Sequence, residues 1–221
     1  FQVQHPIAES FVALLLAGSG YVAAWAVGGL EGPLFGLLLL GGWMALAARR
    51  AITAAACFAA LALTRPEGLV IALGVAVVTG VLVARRAAPR RVAWIPIIVI
   101  LVVAAYEIWR FSYYGPHLTP NAVRAKVGIS AAQLGRGAVY VAKQFLVPYA
   151  LLLLPALLPR TWRGIEPAVR RALGSGSALW LGALLLVVVT GGDWSQGRFF
   201  APLLPLGSVV AAGWGAHVWR R

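Results

Sequence analysis

The chain has 221 residues, 61% of them hydrophobic and only 11% charged, with a mean hydropathy of +0.86. Such values lie well outside the globular range. The net charge of +13 comes from arginines in short clusters between apolar runs. That is the pattern of membrane topology determinants rather than of one solvated basic face, so no nucleic-acid partner is expected.

The apolar residues recur in runs of roughly 14 to 22, and about 20 helical residues span a bilayer. The expectation is an all-α, polytopic membrane protein forming a single transmembrane domain over residues 1–221. The one cysteine, Cys57, lies inside an apolar run and can form no intrachain disulfide, which leaves packing as its role. The first residue is Phe1 rather than Met, and a fragment of a longer protein is expected.

In chain order, the first apolar stretch runs from Ile7 to Ala17, breaks at Gly18-Ser19-Gly20 and resumes towards Gly29, which predicts a broken or re-entrant helix. Pro33–Ala48 is the next crossing, with a proline in the tolerated first turn, and ends at Arg49-Arg50. Ile52–Thr64 is short for a span and stops at Arg65-Pro66. Glu67–Ala84 ends in Arg85, Arg86, Arg90 and Arg91. Val92–Trp109 leads into a polar loop, Arg110–Gly128. Gly137–Leu158 precedes a basic segment with Arg160, Arg163, Arg170 and Arg171. Ser177–Thr190 reaches Gly191-Gly192-Asp193-Trp194, and Phe199–Trp219 ends at Arg220-Arg221. About eight membrane segments result.

If each run crosses once, the clusters at 49–50, 85–91, 160–171 and 220–221 fall on one side. They hold twelve of the nineteen Lys and Arg residues, which makes that side cytoplasmic. Four of the six acids, Glu31, Glu67, Glu107 and Asp193, fall on or near the other side. Function is expected there, on the extracytoplasmic face.

Four polar patches lie on that face. Glu31, in Gly29-Leu30-Glu31-Gly32, is either a solvated turn residue or a membrane-edge acid that positions a substrate or cation. In Arg65-Pro66-Glu67-Gly68 the proline ends one helix and begins another, and Glu67 then favours the dipole of the new helix. A structural Arg65–Glu67 pair and a functional role both fit. The loop RFSYYGPHLTPNAVRAKVG carries Tyr113, Tyr114, His117, Asn121, Arg124 and Lys126. An interfacial aromatic belt accounts for the tyrosines, but not for two cations after Pro120-Asn121. Arginine grips phosphate in a bidentate fork and lysine adds a point charge, so phosphate binding is favoured for Arg124 and Lys126. The fourth patch is GGDWSQGRFF, in which Asp193 and Arg198 form either a structural clasp or an acceptor- and phosphate-holding pair. No nucleotide-binding glycine loop, HExxH or CxxC occurs. The scattered His5, His117 and His217 define no metal centre.

Taken in order, GLEGPLF, LTRPEGL, YYGPHLTPNAVRAKVG and GGDWSQGRFFAPLLP resemble segments of bacterial membrane glycosyltransferases of the GT-C fold. The nearest group is the terminal arabinofuranosyltransferase-like family, over roughly residues 25 to 207. The resemblance implies a polyprenyl-phosphate sugar donor, an extracytoplasmic site and inverting transfer to a glycan or lipid acceptor. A carboxylate would act as general base while cations stabilise the departing lipid phosphate. The matching positions are Glu31, Arg65, Glu67, Tyr114, Asn121, Lys126, Asp193 and Arg198. Glu31 and Asp193 are the catalytic candidates; the others, with Arg124, are donor-phosphate or substrate-binding candidates. Pro116 stands where the family has an acid. The family's acidic pair of its first outer loop falls N-terminal to these residues, so the catalytic base is expected outside this chain. No cofactor is assigned, and dependence on a divalent metal is left open. The rival class is a transporter or flippase for a lipid-linked or anionic substrate, which favours paired inverted repeats; no clear repeat relates the two halves. A non-catalytic scaffold is the third class, and it would need no charge clusters on the outer face.

Overall fold

Apolar runs of this length leave the backbone only one way to satisfy its own hydrogen bonds in hydrocarbon, the helix. A computed structural model of the chain describes residues 6–28, 31–115, 130–146, 149, 165–192 and 197–219. Every regular element among these residues is helical. In order they are α1 (Pro6–Ala17), α2 (Gly20–Ala26), α3 (Gly32–Ala47), α4 (Ala51–Thr64), α5 (Pro66–Ala84) and α6 (Trp94–Tyr114), followed by α7 (Ala131–Val141), α8 (Pro167–Val189) and α9 (Leu204–Trp219). A 3₁₀ turn, Arg90–Ala93, leads into α6, and a π-helical turn, Ala142–Leu146, continues α7.

Three stretches, Pro66–Ala84, Arg90–Tyr114 and Pro167–Val189, are long and apolar enough to cross a membrane; a fourth is the bent pair α1–α2 if counted as one span. The break expected at Gly18-Ser19-Gly20 is present: the two helices meet at 64°. Ser19 is the N-cap of α2, its hydroxyl accepting from the Val22 amide. With 16 and 14 residues, α3 and α4 are shorter than a typical span. Large aliphatic side chains point outward from α5 and α6, among them Val77, Val78, Leu101 and Ile108, the last 71% exposed. An exposed apolar band of this kind fits contact with lipid.

The described residues group into two compact units, one formed by 1–37 and 129–221 and the other by 38–128. In the second unit α4, α5 and α6 pack pairwise. Their core is Phe58, Leu61, Ile71, Ala72, Ala76, Ile95 and Val99, with Leu39 and Trp43 from the end of α3. Alanines at 51, 54, 55, 59 and 62 of α4 are buried and let the backbones approach closely. In the first unit α8 packs on α7 and α9, and α1 packs on α9. Trp214 on α9 donates through Nε1 to Ser177 Oγ on α8 at 3.0 Å.

Among the boundaries that differ from the sequence reading, two move charged residues onto helices. α6 runs through Tyr114, so Arg110 to Tyr114 are helical rather than loop. The Glu107–Arg110 pair and a stacked aromatic strip hold these last turns until Gly115, at φ 81°, stops the helix. α8 begins at Pro167, ten residues before the apolar run at Ser177. Pro167 suits the first helical turn, and the exposed Arg170 and Arg171 are carried on the helix rather than before it.

Three helices end in the same hydrogen-bonded motif but with different residues. After α8, Gly191 N bonds Val188 O and Gly192 N bonds Val187 O, with both glycines at positive φ. After α3, Arg49 N bonds Leu46 O and Arg50 N bonds Ala45 O. After α5, Arg86 N bonds Val83 O and Ala87 N bonds Leu82 O. These are Schellman motifs. The left-handed residue is Arg49 (φ 60°) in one and Arg86 (φ 56°) in the other. A side chain in that conformation costs roughly 1–2 kcal/mol, which the glycine at α8 avoids.

Candidate functional site

In the unit of residues 38–128, Pro66 starts α5 one residue after α4 stops, because proline excludes Arg65 from the helix: Arg65 is extended at φ −153°, ψ 154°. Glu67 falls in the first turn, where it complements the helix dipole. Arg65 Nε donates to Glu67 Oε2 at 3.3 Å, so the expected Arg65–Glu67 pair is formed. Because α5 and α6 are successive antiparallel helices, the last turns of α6 lie at this same end of the unit. There Arg110, 7% exposed, donates from Nε to Glu107 Oε2 at 2.9 Å and from Nη2 to the same oxygen.

Beside this second pair the rings of Tyr106, Trp109 and Tyr113 line one face of α6. Trp109 and Tyr113 are stacked at 5.8 Å, and Tyr114 packs edge-on against both. Tyr114 is thus an exposed ring on the last turn of α6. The end of the unit therefore holds two arginine–carboxylate pairs, together without net charge, and an exposed aromatic surface that can lie against an apolar ring face. The other end, with Arg49, Arg50, Arg85, Arg86, Arg90 and Arg91, carries no acid.

In the unit of residues 1–37 and 129–221, the turn after α8 is gripped by α7. Gln133 Nε2 donates to Val189 O at 2.8 Å and its Cγ lies against Gly191, while the ring of Tyr140 lies against Gly192. Past the turn, Gly197 (φ 67°) rests on the ring of Tyr21, and Phe200 is stacked between Tyr140 at 5.3 Å and Phe145 at 5.8 Å. Arg198 is half-buried between the buried Gly197 and Phe199. Glu31 opens α3, its carbonyl accepting from Phe35 N, and Gly36 one turn on lies against the backbone of Pro202. This brings the start of α3 and the Arg198 segment to the same region of the unit.

Of the expected residues, Arg65 with Glu67 and Tyr114 belong to one unit, and Glu31 with Arg198 to the other. Asn121, Arg124, Lys126, His117 and Asp193 lie outside the described residues. Sequence reading does not single out the polar cluster around the break in α1–α2. The buried Ser19 hydroxyl is 2.9 Å from Tyr149 OH, and Tyr21 OH donates to Gln144 on the π-helical turn. The break itself was the available signal; its partners, more than 120 residues away, were not. Among the described residues no three His, Cys, Asp or Glu side chains gather into a metal-binding group. Compared with protein-family models, with curated proteins and with solved structures, the chain matches none.

Proposed function

We propose that the chain is part of an integral-membrane glycosyltransferase of the GT-C type, with about eight membrane segments. It would transfer a sugar, with arabinofuranose as the nearest precedent, from a polyprenyl-phosphate donor to a glycan or lipid acceptor of the bacterial cell envelope. The reaction lies on the extracytoplasmic face. The observation that carries the reading is the pair of arginine–carboxylate contacts, Arg65–Glu67 and Arg110–Glu107, at one end of the α4–α6 unit, opposite an end holding six arginines and no acid. Charges near membrane depth are costly and mark function more often than chance.

In this reading Arg65, Arg124, Lys126 and Arg198 are the donor-phosphate candidates, Glu67 orients Arg65, and Tyr114 and Asn121 are candidates for contact with the sugar. Glu31 or Asp193 orients the acceptor hydroxyl. As the phosphate leaves, its growing charge is met by fixed guanidinium groups, the interaction that lowers the barrier most in such sites.

The test uses membranes containing the full-length protein and a radiolabelled polyprenyl-phosphate sugar. Label should enter an envelope acceptor, and Arg198→Ala and Lys126→Ala should each lower transfer roughly ten-fold, the loss of one charge-assisted hydrogen bond. Unchanged transfer by both variants removes them from the donor site, and no transfer by the unaltered protein overturns the reading.

A transporter or flippase is the second reading, and the broken helix α1–α2 with its buried Ser19 favours it, since unwound helices line substrate paths in transporters. Movement of the labelled lipid between leaflets without any glycosylated product would select it.

A further inference from the structure

We infer that the arginine end of the α4–α6 unit is a binding surface for the headgroups of anionic phospholipids. The surface is built from two turns. One is Ala48-Arg49-Arg50 between α3 and α4, and the other runs from Arg85 to Arg91 between α5 and α6. Gly42 of α3 faces Phe58 of α4 and Gly80 of α5 faces Pro96 of α6, so each turn closes a hairpin, and because α4 packs on both α5 and α6 the two turns lie at the same end of the unit. All six arginines are exposed. Both carboxylates of residues 38–128, Glu67 and Glu107, are at the other end, so nothing here offsets the positive field.

Three observations make this more than a solvated cluster. First, Arg49 and Arg86 stand in left-handed positions that this chain fills with glycine at the end of α8. The hydrogen-bonding motif is the same in all three, so backbone demand alone does not call for arginine. Second, Trp94, half exposed, begins α6 three residues after Arg91, and tryptophan favours the headgroup level of a bilayer. Third, the exposed aromatics at the far end of α6, Trp109 and Tyr113, are 15 and 19 residues further on. At 1.5 Å per residue the separation is about 22 to 29 Å, close to the thickness of a hydrocarbon core. With α6 spanning in this way, the six guanidinium groups lie at the depth of lipid phosphates. Clusters of four to eight cations beside a span are the pattern that selects anionic lipid, each worth about five-fold in partition. The occupant is thus a phospholipid headgroup carrying net negative charge.

The inference rests on the membrane placement and not on sugar transfer, so failure of the transfer assay leaves it standing. The experiment places the full-length protein in nanodiscs of phosphatidylcholine alone or with one-third phosphatidylglycerol. It measures the thermal unfolding midpoint and, by native mass spectrometry, the lipids retained. The unaltered protein should retain phosphatidylglycerol several-fold over phosphatidylcholine, with a raised midpoint in the mixed discs that falls with added salt. Arg49→Gly with Arg86→Gly, which relieves the backbone, should be at least as stable in pure phosphatidylcholine yet lose much of the shift. Replacing Arg85, Arg90 and Arg91 by Gln as well should remove it. An equal shift in the unaltered and five-site variants would overturn the proposal. So would the absence of any shift in the unaltered protein, or reproduction of the full shift by inorganic phosphate in neutral discs, which would indicate a free-anion site.

Discussion

The ring of Tyr21 occupies the space that a side chain at Gly197 would need, and the Tyr21 hydroxyl is tied to Gln144. The second half of the broken helix, the π-helical turn and the segment carrying Arg198 are thereby fixed against one another. Gly197 has two reasons to be glycine, its φ of 67° and this ring. Gly197→Ala should therefore cost about 2–5 kcal/mol, combining a left-handed alanine with an overpacked contact. Gly174→Ala is the control, because nothing lies within 4 Å of its missing Cβ. It should stabilise α8 by roughly 0.5–1 kcal/mol. Thermal unfolding of the purified protein in detergent checks both; equal midpoints would show that Tyr21 does not restrain Gly197.

The hydroxyls at the break make separable contributions. Ser19 caps α2 and meets Tyr149, whereas the Tyr21 hydroxyl makes its bond to Gln144 only through the phenol oxygen. Ser19→Ala removes a cap and a buried contact and should cost about 1–2 kcal/mol. Tyr21→Phe keeps the ring against Gly197 and should cost about 1 kcal/mol. The same unfolding measurement ranks them, and a Tyr21→Phe loss equal to that of Gly197→Ala would mean that the hydroxyl, not the ring, holds the turn.

What could be read from sequence divides along the range of the interaction. The Arg65-Pro66-Glu67 corner follows from proline's effect on its neighbour and a carboxylate's preference for a first turn, both local rules. The tight turn at Gly191-Gly192 follows from two adjacent glycines, and the break in α1–α2 from Gly18-Ser19-Gly20. The end of α6 reads as loop because its last residues are polar and aromatic; what keeps it helical is Glu107 reaching Arg110 and Trp109 stacking on Tyr113. Likewise the start of α8 is hidden by Arg170 and Arg171, which suggest the edge of a span but sit on an exposed face of a longer helix. Tyr21 with Gln144 and Ser19 with Tyr149 join residues 123 and 130 positions apart, and no local pattern pairs them. The chemistry of the site is the least legible part, since charge at a membrane edge is compatible with a reaction, a path or an anchor.

The Glu107–Arg110 pair should behave as a half-buried ion pair, with the Arg110 side chain buried and that of Glu107 a third exposed. Arg110 is 7% exposed, and one carboxylate oxygen accepts from two of its nitrogens. Glu107→Gln should cost about 1–2 kcal/mol, between the values for exposed and for fully buried pairs. Glu107→Gln with Arg110→Met should cost less than the sum of the single changes, giving a coupling of about 1–3 kcal/mol in a double-mutant cycle. The exposed cation Arg136 serves as the reference, with Arg136→Gln expected within about 0.5 kcal/mol of the unaltered protein. Additive single changes would reassign the pair to the solvated surface.

Sidedness gives the most direct test of the sugar-transfer reading. Cysteines are introduced one at a time into a Cys57→Ala background at Ala88, Ser112 and Ser195. Ala88 lies among the arginines between α5 and α6, and Ser112 is exposed on the last turns of α6. Ser195 belongs to the GGDWSQGRFF segment that carries Arg198. A membrane-impermeant maleimide applied to intact cells should modify Ser112→Cys and Ser195→Cys and spare Ala88→Cys, which should react only after permeabilisation. The first and second positions are at opposite ends of one three-helix unit, so equal labelling there would mean that α6 does not cross the membrane. Labelling of Ser112→Cys and Ser195→Cys from opposite sides would leave the membrane protein intact as a class, but it would put the Arg65 and Arg198 patches on different faces and overturn the sugar-transfer reading.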